Sequence, residues 1–196
     1  MSQRLLVATT NTGKLREIHE LLAGSFIQLA TLADYPDVPP PAETGHTFRD
    51  NARDKALYYA TATGELTVAE DSGLEVEALG GAPGVESARY GGSETSYPEK
   101  FRLIYERLRA RGARDSPARF VCALALARGR DVIFEAAGTI EGRVAPQAKG
   151  TGGFGYDPIF FYPPYGITLA EATAEQKAAV SHRGKAFRAL RAFLLR

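Results

Sequence analysis

Residues 4–32 read RLLVATTNTGKLREIHELLAGSFIQLATL. An apolar run of strand length ends in polar residues. Leu15, Ile18, Leu21 and Leu22 then recur at helical spacing, and Gly24 can end that helix. A second apolar run, FIQLATL, follows. Strand, loop, helix and strand in this order need partners on both faces, which a layered α/β arrangement provides. No other stretch narrows the fold as far.

The remaining segments agree with it. YPDVPPPAETG is a proline-rich loop, and HTFRDNARDKALYYATATG reads as a helix with Thr47 as N-cap. LTVAEDSGLEVEAL predicts a strand, a polar break and another strand. GGAPGVESARYGG is a glycine-punctuated loop, and SYPEKFRLIYERLRARG an amphipathic helix. ARFVCALALARGRDVIFEAAGTIEGRV predicts two long strands joined at RGRD as a hairpin. APQAKGTGGFGYDPIFFYPPYG, with five glycines, reads as one long loop of a length that usually serves function. The last segment is helical with a break near Ser181, and Ala186, Phe187, Leu190 and Phe193 form its apolar stripe.

Composition bounds the function. A chain of 196 residues with 44% hydrophobic and 24% charged residues suits one globular domain of one or two lobes. A net charge of +1 gives no field for long nucleic acid, so any attraction for anions must be local. The single cysteine, Cys122, lies in an apolar run and reads as a core thiol, compatible with a reducing compartment. The N-terminal segment MSQRLLVATT has no long apolar core or small-residue cleavage site, and no apolar stretch approaches the ~20 residues of a membrane span. A cytoplasmic protein without membrane or nucleic-acid partners is expected.

Five pieces could carry chemistry. ATTNTGK (8–14) runs from a strand into a helix N-terminus, where backbone N–H groups and Lys14 favour an anion. It is not a Walker A loop, since Leu15 stands where Ser or Thr should follow the lysine. A capped helix with a surface lysine would look the same. Glu43, Glu70 and Asp71 are carboxylates of the kind Mg²⁺ accepts, with the last two expected at a strand end; a solvated loop is the alternative. Asn51 and Lys55 share a helix face, as they would on any polar helix. In GGFGYDP, Phe154 and Tyr156 offer flat faces for a base or, equally, a turn that packs two rings into the core. Lys177, His182 and Arg183 could read carbonyl oxygens on a base edge, or simply cap a helix. Each piece is weak alone, but together they make the parts of a nucleotide triphosphate site.

The ordered set ATTNTGK, ETGHTFRDNARDKA, EDSGLEVEALGGAPGVESARY, GGFGYDPIF and AEATAEQKAAVSHRGKA spans residues 8–186. It resembles the inosine triphosphate pyrophosphatase family, the XTP/dITP diphosphatases that clear deaminated purine nucleotides. The resemblance implies an α/β, two-lobed fold in a single domain over 1–196, with a long mixed twisted sheet flanked by helices and a central cleft. It also implies a homodimer and a Mg²⁺-dependent reaction, in which a nucleoside triphosphate and water give monophosphate and pyrophosphate. By matching positions, Thr9, Thr10, Asn11, Thr12, Gly13, Lys14 and Lys55 hold phosphates. Glu43 and Asp71 bind the metal, Asp71 accepts the proton, and Ser72 touches substrate. Phe154, Gly155, Tyr156, Asp157, Lys177, His182 and Arg183 hold the base and its sugar-phosphate. Glu70 stands where Asp is usual, Ala178 where Asn is frequent, and Ala172 where a larger apolar residue is found. A pyrophosphatase for other modified nucleotides and a nucleotide-binding module without turnover are the competing readings. The acidic residues argue against the second.

Overall fold

The structure is a computed structural model that describes residues 3–24 and 27–196. Phe26, with which the second expected strand begins, lies outside them. Among the described residues seven strands form one mixed sheet in the order β2-β1-β3-β4-β5-β6-β7. These are β1 Gln3–Val7, β2 Ile27–Thr31, β3 Thr67–Val76, β4 Pro117–Arg128, β5 Asp131–Val144, β6 Phe160–Tyr162 and β7 Ile167–Thr168. The helices are α1 Thr12–Leu22, α2 Phe48–Thr63, α3 Tyr97–Ala110, α4 Ala174–Val180 and α5 His182–Leu194. β1 pairs in parallel with both β2 and β3, while β6 runs antiparallel to β5 and β7.

Local chemistry accounts for the helix ends. Asn11 and Thr47 each cap a helix N-terminus, their side chains accepting the backbone N–H of Lys14 and Asp50. At the end of α2, Gly64 takes a φ of +74°, a left-handed turn that glycine enters without a Cβ clash. The break at Ser181 is an extended residue (ψ 153°) that separates α4 from α5.

The chain divides into two compact units. The first comprises Met1–Asp71, Cys122–Gly138 and His182–Arg196, and the second Ser72–Val121 and Thr139–Ser181. Each has its own core. In the first, Ile18 and Leu22 of α1 meet Phe187 and Leu190 of α5 over Leu5, Val7, Cys122 and Leu124. Phe187 is fully buried, and truncating such a ring to Ala costs about 3–5 kcal/mol. In the second, Phe101, Ile104 and Leu108 of α3 pack with Phe120, Ile140, Tyr156 and Phe160.

Two expectations give way. LTVAEDSGLEVEAL contains no break: β3 runs unbroken through Glu70, Asp71, Ser72 and Gly73. The two acids therefore sit within the strand, not at its end. A strand tolerates buried carboxylates when each is partnered, and both are, as shown below. Likewise the segment after β5 is not all loop, because Phe160–Tyr162 adds β6 to the sheet against β5.

Candidate active site

The first unit gathers most of the charged candidate residues: Lys14, Glu43, Lys55, Glu70, Asp71 and Arg183. β1 pairs with β3 only as far as Val7 and Val68, so β3 continues beyond the point where the chain leaves β1 for α1. In the connecting loop, the Asn11 N–H donates to Thr9 Oγ1 at 3.2 Å, and Asn11 Oδ1 accepts from Lys14 N at 3.0 Å. Thr10, Asn11 and Thr12 are exposed, whereas Gly13 and Lys14 are half-buried. Lys14 Nζ lies 3.4 Å from Glu70 Oε1. The loop thus ends in a helix N-terminus and a lysine already held toward β3.

Glu70, 2% exposed, is the centre of a buried network. Its Oε1 accepts from Arg183 Nε at 2.9 Å and lies 2.8 Å from Arg183 Nη2. The Cys122 thiol donates to Oε2 at 3.4 Å. Arg183 Nη1 reaches Glu17 Oε2 on α1 at 2.7 Å. Burial works against the Arg183 charge, but Glu70 and then Glu17 outweigh it and hold the guanidinium protonated. Burial and the Glu70 carboxylate push the Cys122 thiol far up, so it is inert.

Asp71 takes other partners. Its Oδ2 accepts from Asn51 Nδ2 at 2.9 Å, and Asn51 Oδ1 accepts the Gly45 N–H at 2.8 Å. One amide on α2 therefore sets both the carboxylate and the loop that follows Glu43. A Cβ on Gly45 would stand 2.6 Å from Asn51 Oδ1, so only glycine allows this approach. Lys55, one turn after Asn51, pairs with Glu43 Oε1 and approaches the Glu70 carbonyl at 3.5 Å. Burial raises the Asp71 carboxyl above the ordinary aspartate value. Lys14, the Asn51 amide and Lys55 pull it back, and the Glu43 charge adds to the rise.

Glu43 and Asp71 therefore feel one another's charge amid lysines. A hard divalent cation takes carboxylate oxygens and completes its shell with water and phosphate, and such a pair suits it. Among the described residues no group of three or more His, Cys, Asp or Glu is gathered to hold a metal ion. Glu70 is engaged by Arg183, Lys14 and Cys122.

The first unit also holds His182, which is buried at the start of α5. That first turn packs against β5 at Gly138, where a Cβ would stand 2.1 Å from the His182 carbonyl oxygen.

The second unit carries a cluster of another kind. The Gly153–Asp157 turn is closed by Asp157 Oδ2, which accepts the Phe154 N–H at 2.8 Å and forms an ion pair with Lys177. Lys177 Nζ sits over the half-buried Phe154 ring, 4.7 Å from its centroid. Gly153 (φ +66°) leaves room for the carboxylate, which a Cβ there would meet at 2.1 Å. Tyr156 differs from Phe154. It is 4% exposed, packs edge-on to Tyr97 at 5.3 Å and gives its hydroxyl to the Ser87 carbonyl at 2.9 Å. Of the two aromatics read as flat faces for a base, only Phe154 keeps its ring out of the core. Gly155 (φ +65°) faces Tyr97, and Ser72 is half-buried on β3 immediately after Asp71.

The structure thus joins Lys14, Glu43, Lys55 and Asp71 in one cluster, and Phe154, Asp157 and Lys177 in another. Sequence reading missed Glu17, which carries no local signal. It noted Asn51 only as a helix-face residue, although the nearby glycine of ETG hinted at a close approach.

An α/β fold that gathers lysines, a helix N-terminus and carboxylates around one strand suits an enzyme that handles phosphate. The chain belongs to the Ham1 family, whose sequence pattern matches residues 5–193. It is 49% identical to a dITP/XTP pyrophosphatase of Thermus thermophilus over 95% of this chain and 89% of that one. It is 45% identical to the dITP/XTP pyrophosphatase of an Exiguobacterium species over 98% and 97%. Among solved structures, a HAM1 protein from Coxiella burnetii superposes with a TM-score of 0.91 at 38% identity, covering 98% of both chains.

Proposed function

We propose that this protein hydrolyses deaminated purine nucleoside triphosphates, dITP, ITP and XTP, to the monophosphate and pyrophosphate. The observation that carries the reading is the Lys14–Asp71–Asn51 and Lys55–Glu43 arrangement within a chain of the Ham1 family. Nucleotide pyrophosphatases generally need a divalent metal, and we take it to be Mg²⁺ held by Glu43 and Asp71. When bound, it would offset charge on the phosphate oxygens and on the leaving pyrophosphate.

The chain's own residues do the rest. Phosphoryl transfer asks mainly for positioning and charge stabilisation. The Thr9–Gly13 loop offers backbone N–H groups at the start of α1, and Lys14 and Lys55 clamp the triphosphate tail. Asp71, oriented by Asn51, holds the attacking water and accepts its proton. Ser72 contacts the substrate beside it.

Base selection falls to Phe154, with Lys177 and Asp157, and to the Ser181–His182–Arg183 step. Hypoxanthine and xanthine carry an oxygen at C6 where adenine carries an amino group. A donor from His182 or the neighbouring peptides would pair with that oxygen and be left unpaired against ATP, which can cost orders of magnitude in rate. Arg183 acts in this step by fixing Glu70 and Glu17, since its guanidinium is 1% exposed and turned to both carboxylates. We further take the protein to be a cytoplasmic homodimer, which sedimentation would check. No helix among the described residues is long and apolar enough to cross a membrane.

Product analysis tests the reading. Pure protein with Mg²⁺ is given ITP, dITP, XTP, GTP, ATP or dTTP, and the products are separated. IMP or XMP with pyrophosphate, and slow GTP and ATP, are expected. Diphosphate with orthophosphate would place attack at the γ-phosphorus and remove Asp71 from its role.

A further inference from the structure

The GGAPGVESARYGG loop has no part in the chemistry above, yet it touches two segments that do. Ser87 is 5% exposed. Its Oγ accepts the Leu74 N–H at 2.9 Å and donates to the Gly84 carbonyl at 2.6 Å. Its carbonyl accepts the Tyr156 hydroxyl at 2.9 Å. A Cβ on Gly73 would lie 2.3 Å from Ser87 Oγ and 2.6 Å from the Gly84 carbonyl, so strand and loop meet at the closest approach that glycine permits. The next carbonyl, that of Ala88, is held by Lys100 Nζ at 2.6 Å, and the same ammonium lies over the Tyr97 ring. Lys100 is 3% exposed, and burial lowers its pKa. A buried lysine held on a single carbonyl fixes the loop from α3.

Ser87 is thus bonded on one side to the β3 backbone two residues after Ser72. On the other side it holds Tyr156, two residues after Phe154. All of these residues belong to the second unit.

We propose that Ser87 is a positioning residue for catalysis. It ties the β3 segment that follows Ser72 to the Gly153–Asp157 turn, so that the Phe154 face keeps a fixed register with the strand that presents Ser72. This rests on the function proposed above, in which Phe154 meets the base. If the tie is cut, the base can tilt on its face, and a donor aimed at the C6 oxygen no longer meets it squarely. Discrimination against a C6 amino group then falls even where hydrolysis continues.

The experiment compares Ser87→Ala, Tyr156→Phe and the pair, each assayed with ITP and with ATP on the same preparation. The ratio of the two kcat/KM values cancels any loss of folded enzyme, which a purely structural brace would cause. Each single variant is expected to lower the ITP-to-ATP ratio by about tenfold, the equivalent of one lost hydrogen bond. The double variant should fall no further than the worse single, because both cut the same tie. Tyr156→Phe leaves the Ser87 hydroxyl bonds intact and so reports even if Ser87→Ala folds poorly. An unchanged ratio in the variants that fold, or effects that multiply in the pair, would overturn the tie. Failure of the wild type to convert ITP to IMP and pyrophosphate would instead overturn the functional reading.

Discussion

In the first unit the side chains around the site are mostly ions, Glu70, Asp71 and Arg183 buried with Glu17, Lys14, Glu43 and Lys55 beside them and Asn51 and Cys122 as their neutral donors. In the second, the ion pair Lys177–Asp157 stands among rings and hydroxyls, and the loop behind it is held through Ser87, Tyr156 and the buried Lys100. The difference is one of what each arrangement can answer. Buried charges persist only while each is compensated, so the first cluster responds to a ligand that is itself charged. Rings and hydroxyls fix shape and direction, so the second suits a flat, neutral group. A nucleoside triphosphate has one end of each kind.

The sharpest test of this contrast is Asp71→Asn. Turnover of ITP should fall by roughly 10²–10⁴-fold with loss of the proton acceptor, while the metal-free fold loses nothing. The sign follows from the carboxyl being held above its unfolded value by burial. Between those two values the folded state binds more protons than the unfolded one, so stability declines as pH rises through that window. Melting curves of metal-free wild type and variant should therefore show the wild type losing ground as pH rises. A wild type that melts higher at neutral pH would mean the ionised carboxylate is well compensated after all.

Next in size is Arg183→Ala. It takes the guanidinium away from the buried Glu70 and the half-buried Glu17 and should cost about 3–5 kcal/mol in denaturant titration. Arg183→Lys should recover only part of this, because a lysine cannot reach Glu70 and Glu17 with a planar fork. In the second unit, Phe154→Ala should raise KM for ITP about tenfold with kcat nearly unchanged, as expected for a stacking surface that serves bound substrate and transition state alike. A fall in kcat instead would move Phe154 from binding to alignment. The smallest effect is Arg102→Ala on the exposed face of α3. There the guanidinium bonds Glu99 and Glu106 in solvent, and no resolvable change in Tm is expected. Set against Arg183→Ala, it separates burial from the mere presence of an ion pair.

What could be read from the letters depended on how far away the partners were. Thr47 caps α2 through a neighbour three residues on, and the Ser181 break is local as well, so both were legible. The continuity of β3 was not. Glu70 looks like a break until Arg183, 113 residues later, is folded against it, and Asp71 until Asn51 is. Tyr156 and Phe154 are equivalent in a motif, and only the packing of Tyr97 and the Ser87 carbonyl distinguishes them. The site's residue types were therefore visible early, whereas the division of labour among them is a tertiary property.

The alternation along β3 has a consequence for how such a chain can vary. Adjacent residues of a strand face opposite ways, and here one faces Arg183 and Cys122 while the next faces Asn51. Inserting one residue between Thr67 and Ala69 would carry the glutamate to the Asn51 side and bring Ala69 to Arg183, whereas deleting one would carry the aspartate to Arg183 and bring Ser72 to Asn51. A lineage carrying this strand can exchange letters there more freely than it can change their number. The spacing of the acids is then the more heritable signature, and their identity the less.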